Sequence, residues 1–229
     1  MTMGHFMNTP SLSRSPSPSP LRLLLVGATG AVGQAALSLA LAEPRVIEVV
    51  ALTRRPLSPQ AKLRNVVADF TALPADADCW KVDAVICALG TTMKAAGSQA
   101  RFAAVDRDLP LLVAQRTRTA GATRFALNSS LGASPSGNFY LRTKAEAEAG
   151  IRRLGFHAYT IVRPSLIDAE RSEVRPGERL GLLIAHALAP LIPRRYRAVK
   201  ADAIARALLA GALRDDAGEG IVESAALQD

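Results

Sequence analysis

The segment LRLLLVGATGAVGQ, residues 21–34, decides the fold, because an aliphatic run passes through three glycines into an alanine-rich helical pattern. Gly27 at the strand exit permits a tight turn, Gly30 lets a diphosphate approach the backbone, and Gly33 lets the helix pack closely on the strand. The diphosphate would bind the free N–H groups at the positive end of the helix. Because strand, turn and helix occur in this order, we interpret the glycines as a dinucleotide-binding turn rather than an ordinary strand-to-helix connection.

Beyond this turn, short aliphatic and β-branched runs alternate with longer helical patterns. Strands are predicted over residues 21–26, 46–52, 65–68, 84–88, 124–126 and 158–162, with a short last strand over GIVES from Gly220. Helices are predicted over residues 32–41, 99–119, 138–154, 178–189 and 201–213. This alternation is typical of βαβ units around a parallel sheet. We therefore predict an α/β protein, a NAD(P)-binding Rossmann fold with a doubly wound parallel sheet and a small C-terminal cap.

Length and composition predict one folded domain. The chain has 229 residues, of which 49% are hydrophobic, enough for one substantial core. Residues 1–20 end in SLSRSPSPSP and lack an apolar period, so we expect a disordered Ser/Pro-rich tail. One domain then extends over residues 21–229, and its C-terminal segment forms a cap beside the substrate.

The net charge of +8 would permit contact with nucleic acid or anionic lipid. However, the arginines are scattered rather than gathered in a run, and an aromatic content of 4% leaves few rings on which bases could stack. Nucleic-acid binding is therefore disfavoured. We expect part of the charge to meet an anionic cofactor or substrate.

Cys79 and Cys87 are the only cysteines, and they lack the spacing of a zinc site and follow no secretory leader. They predict reduced thiols, no metal site and a cytoplasmic protein. The apolar run at residues 21–26 is much shorter than the about 20 residues that a membrane span needs, so we interpret it as a strand.

The residues after the second and third strands indicate which dinucleotide binds. An acid after the second strand would bind the ribose 2′-hydroxyl, whereas Arg54 and Arg55 offer guanidinium groups that suit a 2′-phosphate. This favours NADP(H) over NAD, the alternative being that one arginine simply faces solvent. Asp69, just after the third strand, is either an acceptor for the adenine amino group or an ordinary loop acid.

The fourth strand ends in Leu89, Gly90 and Thr91, at the carboxyl edge where ligands of open α/β sheets bind. Gly90 would let a ligand approach the backbone closely. Cys87 lies within this strand, and we interpret it as a core residue.

Tyr140 and Lys144 are the candidate catalytic pair. Because they are four residues apart on a predicted helix, they share one face. A nearby ammonium favours the phenolate and lowers the pKa of a phenol, which makes a general acid/base that works near neutral pH. Ser129 and Ser130 leave the preceding strand, and either could hold a substrate carbonyl or hydroxyl; the sequence does not choose between them.

The motifs GATGAVG, TRR, CALGTT, NSS, YLRTK and VRPSLI, in this order, resemble the short-chain dehydrogenase/reductase superfamily in its atypical branch. More narrowly, LGTTMKAAG, FAAVDRD, NSSLGAS, NFYLRTKAEAE and RPSLIDAERSEVRPGE are similar to the Tat-interactive oxidoreductases, which are small NADPH-binding proteins. The likeness extends from Leu21 to near Leu213.

The resemblance implies a role for each matching residue. Those that it assigns to the cofactor are Thr29, Gly30, Ala31 and Val32 at the phosphates, Arg54 and Arg55 at the 2′-phosphate, Leu89 and Gly90 at the adenosine or the nicotinamide ribose side, Pro164 to Ile167 beside the nicotinamide, and Arg175. Tyr140 would donate or accept the proton, and Lys144 would hold the nicotinamide ribose. Asp106 departs from the pattern: it stands where the superfamily often carries an asparagine that holds a relay water. Because of this difference, the resemblance does not imply a complete four-residue proton relay in this protein.

The segment ERLGLLIAHALAPLIPRRYR, residues 178–197, is apolar on most faces and ends in a basic cluster. We interpret it as a buried helix that Pro190 and Pro193 stop. The less favoured alternative is a pocket wall or lid that also contacts a lipid surface through Arg194, Arg195 and Arg197.

Together these features favour an enzyme. Hydride would move between the nicotinamide and a carbonyl or alcohol carbon of a small-molecule substrate, whose identity the sequence does not give, while Tyr140 transfers the proton. Two alternatives use the same residues. In the first, the protein binds NADPH without catalysis, and a protein partner recognises the NADPH-bound form. In the second, an isomerase or epimerase uses the cofactor without net consumption.

Overall fold

The computed structural model describes residues 20–75, 77–168 and 193–228. The tail predicted over residues 1–20, apart from Pro20, lies outside the described residues, as do the helix predicted over residues 178–189 and Arg175. None of the helices in the described ranges is long and apolar enough to cross a membrane.

Nine strands form two parallel sheets within the described part of the chain. The strands are β1 (Leu21–Val26), β2 (Val46–Thr53), β3 (Leu63–Val67), β4 (Ala84–Cys87), β5 (Arg124–Asn128), β6 (Ala158–Arg163), β7 (Ile167–Asp168), β8 (Val199–Lys200) and β9 (Gly218–Glu223). The main sheet has the order β3-β2-β1-β4-β5-β6-β9, and every neighbouring pair is parallel. The strand order reverses between β1 and β4, and a ligand crevice forms at the carboxyl ends of such a pair. The predicted Rossmann fold is confirmed.

Helices cover both faces of the main sheet. They are α1 (Ala31–Ala42), α2 (Met93–Ala96), α3 (Gln99–Ala103), α4 (Leu109–Thr119), α5 (Phe139–Arg153) and α6 (Ala201–Leu213). On one face, Leu23 of β1 is buried in a core with Ile204 of α6. On the other, Leu24 of β1 is buried with Val113 of α4 and Ile151 of α5. Successive residues of β1 therefore enter opposite cores, as expected of a doubly wound sheet.

The helix predicted over residues 99–119 is present but divided. A π-helical turn, Ala104–Asp108, lies between α3 and α4. Such a turn inserts an extra residue into the helical repeat and is frequent at functional sites. It leaves Asp106 only 2% exposed, inside the protein. The 3.6-residue apolar pattern of the sequence does not indicate this insertion.

The small elements that the sequence does not predict include a second sheet and a short helix. The sheet of β7 and β8 pairs Ile167 with Val199. The four-residue helix α2 is capped by the Thr92 side chain, which accepts from the Ala95 N–H at 3.1 Å. Elements this short have no measurable periodicity, so a pattern search misses them.

Candidate active site

The three glycines of the first turn serve different structural purposes. Gly27 has φ +91°, and a Cβ there would lie 2.6 Å from the Ala88 carbonyl oxygen. A Cβ at Gly33 would lie 1.9 Å from the Gly27 carbonyl oxygen, so packing inside the protein excludes a side chain at both positions. A Cβ at Gly30 would meet only the Gly27 carbonyl oxygen, at 3.6 Å, which is ordinary contact. The space above Gly30 is therefore open, as a backbone that receives a diphosphate requires.

We expect Gly33→Ala to destabilise the protein and Gly30→Ala to weaken ligand binding alone. Overpacking at Gly33 should lower the free energy of unfolding by about 1–3 kcal/mol. At Gly30 the free energy of unfolding should stay within about 0.5 kcal/mol, while the affinity for a dinucleotide falls. Chemical denaturation and dinucleotide titration of both variants measure this. Equal destabilisation by the two changes would contradict the assignment of Gly30 to a ligand.

The amino end of α1 presents free N–H groups. Gly30 precedes the helix, no side chain caps it, and the first turn contains no acid. The first N–H groups of a helix have no partner within it and lie at the positive end of its dipole. Thr29 and Ala31 are exposed, whereas Val32 is buried in the core, so only the backbone of Val32 can meet a ligand. This geometry suits a phosphate.

A cleft of about 460 Å³ opens over this turn at the carboxyl edge of the main sheet. This volume is within the usual range of small-molecule pockets. The cleft brings together eight of the residues predicted from the sequence: Gly27, Thr29, Gly30, Arg54, Arg55, Leu89, Gly90 and Thr91. At Gly90 it reaches the candidate catalytic residues, since a Cβ there would lie 4.0 Å from the Lys144 Nζ.

Arg54 and Arg55 directly follow β2, and both are exposed at the rim of the cleft. The Thr53 hydroxyl donates to the Arg55 carbonyl oxygen at 2.7 Å and fixes the turn between them. Neither guanidinium forms an ion pair or hydrogen bond with any residue in the described ranges. Two cations at one rim that have no partner in the described part of the chain are suited to an anionic group of a ligand.

Asp69 follows β3 and is exposed, but it does not line the cleft, whereas its neighbour Phe70 does. Its Oδ1 accepts from the backbone N–H and the hydroxyl of Thr71, both at 2.8 Å. The bond from the Thr71 N–H, followed by that from the hydroxyl, lowers the pKa of the Asp69 carboxyl. One oxygen of Asp69 therefore holds its own turn, and only Oδ2 is left for another partner.

α5 carries the candidate catalytic pair and begins at a side-chain cap. The Asn138 side chain accepts from the Leu141 N–H at 3.0 Å. Lys144 is buried, and its Nζ lies 2.7 Å from Oδ1 of Asp106. The other oxygen of Asp106 accepts from the Thr91 N–H at 2.9 Å. Asp106 thus connects Lys144 to the loop after β4 that lines the cleft. The sequence does not predict this connection, because it depends on the π-helical turn.

Tyr140 is half-buried near the start of α5, one turn before Lys144 and on the same face. Its ring centroid lies 5.4 Å from that of Phe102. Its hydroxyl makes no hydrogen bond to the part of the chain that the structure describes. A phenol in this state can both donate to and accept from a substrate oxygen.

The structure distinguishes the two serines after β5. Ser129 is 5% exposed, and its hydroxyl donates to Oε1 of Glu148 at 2.6 Å. Ser130 is half-buried, and its hydroxyl makes only a 3.4 Å contact with the carbonyl oxygen of Leu131. Ser129 is therefore engaged by Glu148, while the Ser130 hydroxyl is available.

The segment after β6 lies beside the serine loop. Pro164 is buried, and its carbonyl oxygen accepts from the Leu131 N–H at 2.8 Å. Ile167 lies in β7 and is 43% exposed. The two ends of the predicted nicotinamide segment therefore have different surroundings, one in the protein interior and one at its surface.

Cys79 and Cys87 are both buried and free. Burial raises the pKa of the Cys87 thiol to about 12 and also raises that of Cys79. Because only the thiolate reacts, we expect neither cysteine of the folded protein to be alkylated by iodoacetamide at about pH 8. Brief labelling followed by mass spectrometry checks this. Rapid modification of Cys87 without unfolding would contradict its place in the core.

The strand order of the parallel sheet reverses between β1 and β4, and a glycine turn lies at the carboxyl end of β1. Together these features define a Rossmann-fold protein of the dinucleotide-binding class. A family model described as NAD(P)H-binding matches residues 27–182. The chain belongs to this NAD(P)H-binding family.

Curated relatives agree with this assignment. The chain is 39% identical over 173 residues to the protein fmp52, mitochondrial, of Emericella nidulans, covering 72% of this chain and 74% of that protein. It is 35% identical over 164 residues to the protein HTATIP2 of Rattus norvegicus, covering 69% of this chain and 67% of that protein. The predicted resemblance to the Tat-interactive oxidoreductases is confirmed.

Solved structures share the fold. MoeE5 in complex with UDP-glucose and NAD has a TM-score of 0.67 at 19% identity, covering 87% of this chain and 74% of that chain. A putative NAD-dependent epimerase/dehydratase from Bacillus halodurans has a TM-score of 0.62 at 22% identity, covering 90% and 97%. These neighbours agree with the Rossmann fold described above.

The prediction of a cytoplasmic protein is wrong. Fungal relatives from Emericella nidulans, Aspergillus clavatus and Aspergillus fumigatus are all named as mitochondrial proteins. Two reduced cysteines exclude only an oxidising compartment, so they could not choose among reducing ones.

Proposed function

We propose that this protein is an NADP(H)-dependent oxidoreductase that moves hydride to or from a carbonyl or alcohol carbon of a small molecule. The observation that carries the proposal is the arrangement at the carboxyl edge of the sheet. It combines an uncapped helix start, two arginines without partners among the described residues, and Tyr140 near the start of the helix that follows β5. The helix start and the arginines suit the phosphates of a dinucleotide, and the hydroxyl suits proton transfer.

The 2′-phosphate of NADP(H) is assigned to Arg54 and Arg55. A site for NAD on this fold places an acid after the second strand, where it binds the ribose 2′-hydroxyl. The segment TRRP that ends β2 and follows it contains no acid. Since neither guanidinium has a partner among the described residues, binding a phosphate would break no ion pair. Of the two roles considered for Asp69, acceptance from the adenine amino group would use Oδ2, because Oδ1 is bonded to Thr71.

When bound, the nicotinamide would supply or accept the hydride, and the other steps fall to residues of this chain. In carbonyl reduction, the Tyr140 hydroxyl gives its proton to the substrate oxygen as hydride adds to the carbonyl carbon; in alcohol oxidation it takes that proton back. Ser130 donates a hydrogen bond to the same oxygen, because Ser129 is engaged elsewhere. Lys144 holds the nicotinamide ribose with the ammonium protons that Asp106 leaves free.

A second candidate function is NADPH binding without turnover, with the occupied state recognised by a protein partner. The pair of Lys144 and Asp106 favours it. A carboxylate beside the ammonium opposes the effect of that ammonium on a neighbouring phenolate, and so weakens the drive for proton transfer.

A screen of purified protein with NADPH and a panel of aldehydes and ketones tests these functions. Loss of NADPH absorbance with formation of an alcohol supports the oxidoreductase. NADPH binding without turnover across the panel supports the second candidate. Isomerised product without net loss of NADPH would indicate an epimerase, and the absence of affinity for both NADPH and NADH would reject all three.

A further inference from the structure

One buried carboxylate of α5 receives hydrogen bonds from side chains at the carboxyl ends of two neighbouring strands, β5 and β6. Glu148 is 1% exposed and lies one turn after Lys144. Its Oε1 accepts from the Ser129 hydroxyl at 2.6 Å and from the Arg163 Nε at 2.9 Å. Its Oε2 accepts from the Arg163 Nη2 at 2.5 Å. Hydrogen bonds to a carboxylate are among the strongest in proteins, and the fork of an arginine adds a fixed geometry.

The partners of Glu148 adjoin the residues assigned to the substrate and the nicotinamide. Ser129 directly precedes Ser130 after β5, and Arg163 ends β6 directly before Pro164. The two loops are also joined to each other where Leu131 donates to the Pro164 carbonyl oxygen. Glu148 therefore ties both loops to the helix that carries Tyr140 and Lys144.

Glu148 is the third of three side chains that are regularly spaced along α5. Tyr140, Lys144 and Glu148 are four residues apart and share one face of the helix. Each contacts a different element: Tyr140 packs against Phe102, Lys144 pairs with Asp106, and Glu148 pairs with Ser129 and Arg163. Of these three side chains, Glu148 lies deepest in the protein.

We propose that Glu148 is a positioning residue of the nicotinamide half of the site: it holds the loops after β5 and β6 against α5 and, by engaging Ser129, leaves Ser130 to meet the substrate oxygen. This inference rests on the proposed function, because it takes the nicotinamide to lie beside Pro164. Loss of the carboxylate releases Ser129 and leaves Arg163 with only its bond to Glu223 among the described residues, so both loops can then shift. Arg54 and Arg55 follow β2, on the other side of β1 in the sheet, and stay in place.

Glu148→Gln tests this role with two ligands. NADPH would occupy both halves of the site, whereas 2′,5′-ADP would occupy only the half that contains Arg54 and Arg55. In calorimetric titrations, the NADPH affinity should fall about tenfold or more, because small misplacements of positioning groups have large effects. The 2′,5′-ADP affinity should stay within about twofold, because distant sites are independent.

Two further variants separate positioning from a general loss of structure. Glu146→Gln on the same helix removes an exposed carboxylate that pairs with Arg107 at 2.7 Å, and neither affinity should change. Arg163→Lys keeps the charge but loses the forked guanidinium, so it should show the same selective loss of NADPH affinity. It also provides the test if the Glu148→Gln protein does not fold.

A similar loss of affinity for both ligands, or an unchanged NADPH affinity in the folded variants, would overturn the inference. A wild-type protein that binds neither ligand rejects the proposed function and this inference with it, whereas binding without turnover leaves the inference standing.

Discussion

Tyr140→Phe should abolish turnover of any carbonyl substrate of this protein while leaving its NADPH affinity nearly unchanged. The phenol is the proton donor of the proposed mechanism, and loss of a general acid lowers kcat by about a hundredfold to ten-thousandfold. Phenylalanine keeps the ring that lies 5.4 Å from Phe102, so the start of α5 should keep its place. NADPH consumption at saturating substrate, with a parallel NADPH titration, measures both parts of this result.

A second tyrosine provides the control for this change. Tyr159 lies near the amino end of β6, half-buried against the core under α4 and α5, and far from the carboxyl edge of the sheet. Tyr159→Phe should therefore leave kcat unchanged. A Tyr140→Phe protein that retains its kcat would remove the phenol from the mechanism. A protein that loses NADPH affinity and turnover together would assign the phenol to cofactor binding.

The main sheet could be predicted from the sequence because its parallel strands are buried on both faces and therefore appear as continuous apolar runs. β1 begins and ends at the predicted residues. β5 extends beyond the predicted end at residue 126, through Leu127 to Asn128, which is polar yet only 8% exposed. A polar residue inside a sheet breaks the apolar run without ending the strand. Composition therefore locates such strands better than it locates their ends.

Those parts of the site that lie close together in the sequence could also be predicted. The glycine turn, the two arginines after β2 and the Tyr140/Lys144 pair each form one short motif. The partners of Lys144 and Glu148 could not be predicted, because they come from other elements and depend on the rotation of α5 and on a π-helical turn. The choice between Ser129 and Ser130 fails for a related reason. Neighbouring residues of an extended chain point in opposite directions, and only the packed structure shows that Ser129 is the one bonded to Glu148.

The double change Arg54→Ala and Arg55→Ala should weaken NADPH binding by about a hundredfold or more, since two charge-assisted hydrogen bonds to the 2′-phosphate are lost. NADH lacks this phosphate, so its affinity should change by no more than about threefold, through general electrostatics alone. Both arginines are exposed and unpaired within the described residues, so the fold should not be affected. Titrations of the wild type and the double variant with NADPH and with NADH measure how far the ratio of the two affinities changes.

Two single variants and a change at a distant arginine show which guanidinium groups are responsible for the change in the ratio of NADPH to NADH affinity. If both guanidinium groups bind the phosphate, Arg54→Ala and Arg55→Ala should each lower the NADPH affinity; if one faces solvent, its variant should behave as the wild type. Arg153→Ala at the end of α5 removes an exposed charge at the opposite edge of the sheet, and it should leave both affinities unchanged. Equal losses for NADPH and NADH in the double variant would show that the arginines act on a group common to both dinucleotides. The preference for NADP(H) would then have no basis, because Arg54 and Arg55 are the only charged residues in the described part of the chain that line the cleft.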